Sequence, residues 1–386
     1  MTRGDTRSTD PKRVVIAGLG DSGLLVALDL HPRFEVTGIT PKPALVSGQE
    51  LGTRLARPDA WRKHFLTAFP RYRRLDGMPI VHGLITGVDL ELRQLQVRSL
   101  DGVESGVPYD VLVIASGVTN GFWRDARLED MASVNARIDR DAEQLAAARS
   151  VAVLGGGATG VSSASNLKER YPETDVHLFF SGGEPLPSYH PNVRRAVLKR
   201  LAEQGVVLHA NHRATLPPGF SGERLTTDAI RWETGQAPFR ADLTLWAVGR
   251  ARPNTGFLPP ALLDASGYVK VDPQLRVPGY PNVFAVGDVA ASDPDRSSAR
   301  NGGHAVVVHN VRCLLGDDEA RMKRYTPPRH RWGSILGTQH DGMRIFTATG
   351  ANLRIPTFWV EHVLFPWIVD RLMYKGVRRE RIRREG

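Results

Sequence analysis

The sequence predicts an α/β protein in which one strand, glycine turn and helix unit occurs twice. Arg13 to Ala17 reads RVVIA, an apolar run of strand type, and passes directly into Gly18-Leu19-Gly20-Asp21-Ser22-Gly23 and the helical pattern LLVALDLH. Val151 to Leu154 passes in the same way into Gly155-Gly156-Gly157-Ala158-Thr159-Gly160 and a helix expected over Val161 to Arg170. A further strand follows each unit, Phe34 to Ile39 after the first and Asp175 to Phe180 after the second, as in a parallel βαβ crossover.

One Gly-x-Gly-x-x-Gly is a weak signal, because glycine is common; two copies, each between a strand and a helix, are a strong one. The spacing has a physical reason. The first glycine makes the turn, the second lets backbone N–H groups approach a pyrophosphate, and the third lets the helix close on the strand. The helix N-terminus then faces the phosphate charge. Both units therefore read as Rossmann-like dinucleotide-binding domains. Between them, Ile85 to Arg98 and Gly106 to Tyr109 read as a β-meander, followed by a buried strand ending in Ala115-Ser116-Gly117. Leu243 to Arg250 is a matching strand ending in Val248-Gly249, and Pro281 to Asp288 ends in Gly287-Asp288. Strands that end on small residues let backbone pass close to a bound dinucleotide. On its own residues Asp288 is either a helix N-cap or a contact to a ligand hydroxyl.

At 386 residues the chain has room for two or three domains, and with 41% hydrophobic and 24% charged residues it is neither disordered nor a polytopic membrane protein in composition. Its formal charge is +10, but the basic residues are dispersed and cluster only near the C-terminus, so no nucleic-acid partner is expected. Met1 to Asp10 is polar and lacks an apolar export segment and a Met-Gly start. A cytoplasmic location is the expectation. The single cysteine, Cys313, excludes an internal disulfide, a CxxC pair and a cysteine zinc site, so redox chemistry would need a bound cofactor. Cys313 lies in an apolar helical pattern and reads as core.

The succession VVIAGLGDSG, VLVIASG, VAVLGGGATG, LWAVGRARPNT and NVFAVGDVA resembles that of flavoproteins with two dinucleotide-binding domains. Within that superfamily the chain is most similar to the apoptosis-inducing-factor-like and ferroptosis-suppressor-like oxidoreductases, over about residues 12–375. The resemblance implies an FAD domain of residues 11–120 and 251–325, an NAD(P) domain of 121–250 between its halves, and a C-terminal α+β region, 326–386. Carried over, Gly18, Gly20 and Gly23, with Asp21 and Ser22, would hold the FAD pyrophosphate, beside Ala115, Ser116 and Gly117. Gly287 and Asp288 would meet the ribityl or phosphate part. Gly155, Gly157, Ala158, Thr159 and Gly160, with Val248 and Gly249, would receive NADH or NADPH. Asn301-Gly302-Gly303-His304-Ala305 would open a helix aimed at the flavin ring, where its dipole favours the anionic reduced form.

Two positions depart from the family. Thr40 stands where an acidic residue usually binds the FAD adenosine ribose, and Ser162 where a glutamate usually lies near the nicotinamide. Phe180-Ser181-Gly182-Gly183 lacks both the acid that selects NADH and an arginine for NADPH, so either nucleotide is open. Lys42 is a candidate catalytic cation beside the flavin, or a solvated lysine; His304 is a candidate proton donor, or a packed histidine. His340 reads as a plain histidine of a turn.

In the last segment, Phe358, Trp359, Val360, Val363, Leu364, Trp367 and Ile368 precede Lys375, Arg378, Arg379, Arg381, Arg383 and Arg384. Glu361, His362, Pro366 and Asp370 break the run too often for a spanning helix. It would either lie in a bilayer interface or cover the FAD domain and form a homodimer contact. The expected function is hydride transfer from NAD(P)H to FAD and on to a quinone-like acceptor. The alternatives are a flavoprotein tailoring enzyme with a degenerate nicotinamide site and a non-enzymatic redox sensor.

Overall fold

A computed structural model describes residues 12–120, 124–217, 219–220, 225–248, 251–293, 302–316, 318–327 and 333–378. The segment Met1 to Asp10, Gly249, Asn301 and the arginines from Arg379 onward lie outside them. The chain lays down β1 (Arg13–Ala17), α1 (Asp21–Leu30) and β2 (Glu35–Thr40), then helices α2 (Leu51–Ala56) and α3 (Pro58–Phe65). Strands β3 (Ile80–Asp89), β4 (Gln94–Ser99), β5 (Glu104–Pro108) and β6 (Val111–Ile114) follow. A long helix, α4 (Met131–Ala147), leads to β7 (Ser150–Leu154), α5 (Ala158–Arg170), β8 (Asp175–Phe179), α6 (Pro191–Gln204), β9 (Val207–His209) and β10 (Leu243–Trp246). The return leg adds β11 (Arg276–Val277), β12 (Tyr280–Ala285), α7 (Gly303–Leu315) and the strands β13 (Gly333–Gln339), β14 (Gly342–Phe346) and β15 (Asn352–Ile355).

The large sheet has the order β11-β12-β6-β1-β2-β3-β4-β5. It is parallel from β12 to β3. Strand β3 serves two partners, pairing Ile80–His82 in parallel with β2 and Gly83–Asp89 antiparallel with β4. The second sheet, β9-β8-β7-β10, is parallel throughout. Because β11 and β12 return to the first sheet after β10, the second unit is inserted in the first. Covered on both faces, β1 and β7 bury every residue after the first, which is why they read as continuous apolar runs.

The boundaries shift slightly from the sequence expectation. Helix α1 starts at Asp21 and α5 at Ala158, because each begins inside its glycine turn; the meander starts at Ile80. The four helices α2, α3, α4 and α6 went unforeseen. Packing also crosses the expected division at residue 120. Leu51, Leu55 and Ala56 of α2 join the core of the second sheet with Val161 and Ala164, while Val134 and Ile138 of α4 join the first core. The β13–β15 sheet lies between them, giving Ile335 and Phe346 to the second core and Met343 to the first.

After β15, helix α8 (Thr357–Trp359) continues as a π-helix over Val360–Met373, with Pro366 inside it. Val360, Phe365 and Val369 face the first core, and Phe365 stacks on His64 of α3 with ring centroids 3.7 Å apart. Burial lowers the His64 pKa below its ordinary 6.5, joined by Lys63 and opposed by Glu361. A histidine depressed in the folded state contributes full stability above 6.5 and loses it as pH falls below. His64→Phe, which keeps the stack, should therefore flatten the fall in melting temperature between neutral and acid pH; parallel curves for the two proteins would refute this.

Candidate functional site

The two glycine turns are one device built twice. Gly18 and Gly155 have φ of +111° and +125°, and a Cβ on either would stand 2.5 or 2.3 Å from the carbonyl oxygen of Ala115 or Ala247. A Cβ on Gly23 would lie 1.9 Å from the Gly18 oxygen, and one on Gly160 would lie 1.9 Å from the Gly155 oxygen. The middle glycines, Gly20 and Gly157, have open space there and stand at the N-caps of α1 and α5, neither helix having a side-chain cap. Uncapped N–H groups above an open glycine suit a pyrophosphate. The residues present thus fit two dinucleotides.

The first pocket runs from Gly18, Gly20 and Ser22 along Ala115, Ser116 and Gly117 to Gly287 and Asp288, and reaches Thr40 and Lys42 at its other side. Its walls are stitched tightly. Asn254 donates to the Ser116 carbonyl at 2.9 Å and accepts from Thr119 at 2.7 Å, and Gly287 lies against Ser22. Asp288 is buried in the pocket, 2.6 Å from Arg124, and does not cap α7, whose N-cap is Gly302. Asp21 turns its carboxylate toward the neighbouring loop, accepting from the Ser47 hydroxyl at 2.7 Å and the Gly48 N–H at 2.9 Å. Thr40 is buried and bonds within its own turn to Lys42.

Lys42 is not a solvated lysine: its ammonium lies 2.9 Å from Asp125 and also pairs with Glu129. Arg137 bridges the same two carboxylates. Lys42 lines the nucleotide pocket with Arg54, Arg124 and Arg137 and is absent from the walls of the chamber that holds His304. The structure thus places this cation on the Thr40 side of the pocket, apart from the other candidate catalytic residue. Arg54 is nearly inaccessible and stacks over Trp61 at 5.5 Å; burial brings its pKa down to about 10, with Arg137 adding to this and Asp141 opposing it. Sequence reasoning missed Arg54, Arg124, Asp125 and Arg137, which belong to no motif.

The first pocket adjoins a cavity of about 520 Å³, and Gly48 lines both. One wall of this chamber is the first turn of α5, with Ala158, Thr159 and Ser162; another is the start of α7, with His304. The rest is mainly apolar: Leu25, Phe65, Ile335, Met343, Phe365 and Ile368. Burial holds His304 below its ordinary pKa, and its Nδ1 is buried without a hydrogen-bond partner. Gly303 opens α7 beside it. Val248 stands at the end of β10, its side chain 3.3 Å from where a Cβ on Gly155 would be. His340 is held more firmly than a plain turn histidine, its Nδ1–H donating to Glu169 of α5 at 2.6 Å and its backbone N–H to the same carboxylate oxygen at 2.9 Å. Cys313 is buried on α7, 3.5 Å from His309, as expected of a core residue.

Two glycine cradles and two adjoining cavities define a two-dinucleotide oxidoreductase. The sequence profile of the pyridine nucleotide-disulphide oxidoreductases matches residues 12–309, and the chain belongs to that family. It is accordingly an NAD(P)H oxidoreductase that uses FAD. Among relatives, it is 26% identical to apoptosis-inducing factor homolog B of Dictyostelium discoideum over 82% of this chain and 84% of that one. It is 31% identical to oxidoreductase ptaL of Pestalotiopsis fici over 77% of each. Mouse ferroptosis suppressor protein 1 is 29% identical over 72% of this chain and 77% of that one. The sulfide:quinone oxidoreductase of Aquifex aeolicus shares the fold, with a TM-score of 0.64 at 17% identity, covering 89% of this chain and 86% of that one.

Proposed function

We propose that the protein passes electrons from NAD(P)H through FAD to a quinone or quinone-like small molecule. The observation that carries this reading is the 520 Å³ chamber, which joins the first pocket at Gly48, receives the start of α5 from the second cradle, and is walled mainly by apolar side chains. Such a cavity suits a flat, weakly polar acceptor. Gly18, Gly20 and Gly23 hold FAD, and Gly155, Gly157 and Gly160 hold NAD(P)H. Bound FAD supplies a ring that accepts a hydride and releases electrons. The α7 N-terminus at Gly303 directs its dipole into the chamber, favouring negative charge there, and His304 is placed to hold a proton at its unpartnered Nδ1. The quinone in the name of the Aquifex fold neighbour supports the acceptor class.

We also place the protein at the cytoplasmic face of a membrane. Trp367, Ile368 and Leu372 are exposed, Arg371 stacks over Trp367 at 5.1 Å, and Ile368 both lines the chamber and faces outward. A lipid-soluble acceptor would enter past it. No helix among the described residues is long and apolar enough to cross a membrane.

Visible spectra test the core reading. Flavin absorbance should bleach within seconds of anaerobic addition of NADH or NADPH and return on adding a short-chain quinone. Ile368→Trp should slow the return at least about tenfold and leave bleaching unchanged; a yellow protein that neither nucleotide bleaches overturns the proposal. Co-sedimentation with phosphatidylglycerol vesicles, lost in Trp367→Ser, tests the membrane contact.

A further inference from the structure

Glu50 is the one acidic residue among those lining the chamber. Glu50 stands immediately before α2 in the left-handed backbone conformation, φ 49° and ψ 46°, which a residue with a Cβ adopts only under compensation. Its surroundings are shaped to receive it. Gly337 lies beneath the carboxylate, where any Cβ would come within 2.7 Å of Glu50 Oε2, and Thr53 donates to that same oxygen at 3.2 Å. Two residues on, Gly52 is pressed onto α5 so closely that a Cβ there would stand 2.4 Å from the Ser162 hydroxyl. The start of α2 is therefore laid on the first turn of α5, where the second glycine cradle opens into the chamber.

Ser162 brings a hydroxyl to that wall and Thr159 another, while Gln49 brings an amide. Glu50 alone among the lining residues brings an acidic acceptor. The nicotinamide end of the dinucleotide carries a primary carboxamide, whose N–H₂ is a donor, on a ring that is cationic when oxidised. A carboxylate is the complementary partner for both features.

We infer that Glu50 is a specificity-determining positioning residue that accepts a hydrogen bond from the nicotinamide carboxamide, in place of an acid at the Ser162 position of α5. The inference rests on the reading that the second cradle holds NAD(P)H. Its test is equilibrium binding to the FAD-loaded protein, without turnover. The ligands are NAD⁺ or NADP⁺, whichever binds more tightly, its 3-acetylpyridine analogue, which has a methyl ketone in place of the carboxamide, and the matching ADP-ribose or its 2′-phosphate.

Wild-type protein should prefer the carboxamide over the methyl ketone by about tenfold or more, the scale of a hydrogen bond to a charged group. Glu50→Ala should weaken the dinucleotide by about that factor, erase the preference and leave ADP-ribose within about twofold. Glu50→Gln, which keeps an acceptor oxygen without the charge, should fall between, and flavin spectra verify the fold of each variant. Equal weakening of dinucleotide and ADP-ribose in both variants, or a surviving carboxamide preference, would overturn the role of Glu50. Wild-type protein that binds neither dinucleotide nor ADP-ribose would instead overturn the nicotinamide reading itself.

Discussion

Gly23→Ala should yield a protein without flavin, whereas Gly160→Ala should yield a yellow protein that neither NADH nor NADPH bleaches. The lesion is the same at both sites. Each added methyl would meet a backbone oxygen at 1.9 Å, that of Gly18 in one case and Gly155 in the other. No side-chain rotation relieves a clash between backbone atoms, so the helix must move off the strand it crosses. That displacement carries the uncapped N–H groups of α1 or α5 away from the phosphate position beside Gly20 or Gly157. Because β1, β2 and β6 belong to the other sheet, a shift of α5 reaches the first pocket only through α2 and leaves the Gly18–Gly23 turn on its strands. Absorbance of the purified proteins, before and after anaerobic nucleotide, reads both results. Gly160→Ala protein that bleaches at the wild-type rate would show that the second cradle does not hold the electron donor.

The cradles were legible because their requirement is local: a turn, an open face and a close contact fall within six residues, and only glycine meets all three. Strands β1 and β7 were legible for the same reason, as buried runs with no solvent face. The chamber was not. Its walls come mainly from α1, the loop of residues 48–50, α2, α3, α5, α7, β13, β14 and the π-helix, and no short stretch contains two of its opposing sides. Helix α2 escaped notice because six residues, LGTRLA, show no helical period and include a glycine whose absent side chain is needed only against α5. Glu50 had no motif around it. Lys42 was visible as a cation after β2, but its partners Asp125 and Glu129 lie 83 and 87 residues further along, so its environment was not. Pairs of that kind are decided by tertiary packing alone.

Arg137→Met should destabilise the protein by about 3–5 kcal/mol, the scale of an uncompensated buried charge. Lys42, Arg137, Asp125 and Glu129 form a balanced set of two cations and two carboxylates, with side chains only 4–12% exposed. Arg137 reaches both acids, Glu129 at 2.8 Å, so its removal leaves the two carboxylates to Lys42 and the half-exposed Arg127, which stands 3.8 Å from Asp125. Arg137→Lys should recover only part of the loss, because one ammonium cannot span both acids as a guanidinium fork does. Arg137→Met combined with Glu129→Met restores electrical balance and should be more stable than Arg137→Met alone; a denaturation midpoint that falls further in the double variant would refute the charge-balance account. Acid tolerance gives a second readout. Burial raises the Asp125 pKa, but Lys42 and Arg137 outweigh it and hold the group below its ordinary 3.8. A depressed carboxylate contributes stability that is full above 3.8 and is lost as pH falls through its folded-state value. Without Arg137 that value rises, and acid unfolding should begin at higher pH. Since Lys42 and Arg137 also line the first pocket, flavin should leave the variant before the fold is lost, joining the stability of this cluster to the retention of the cofactor.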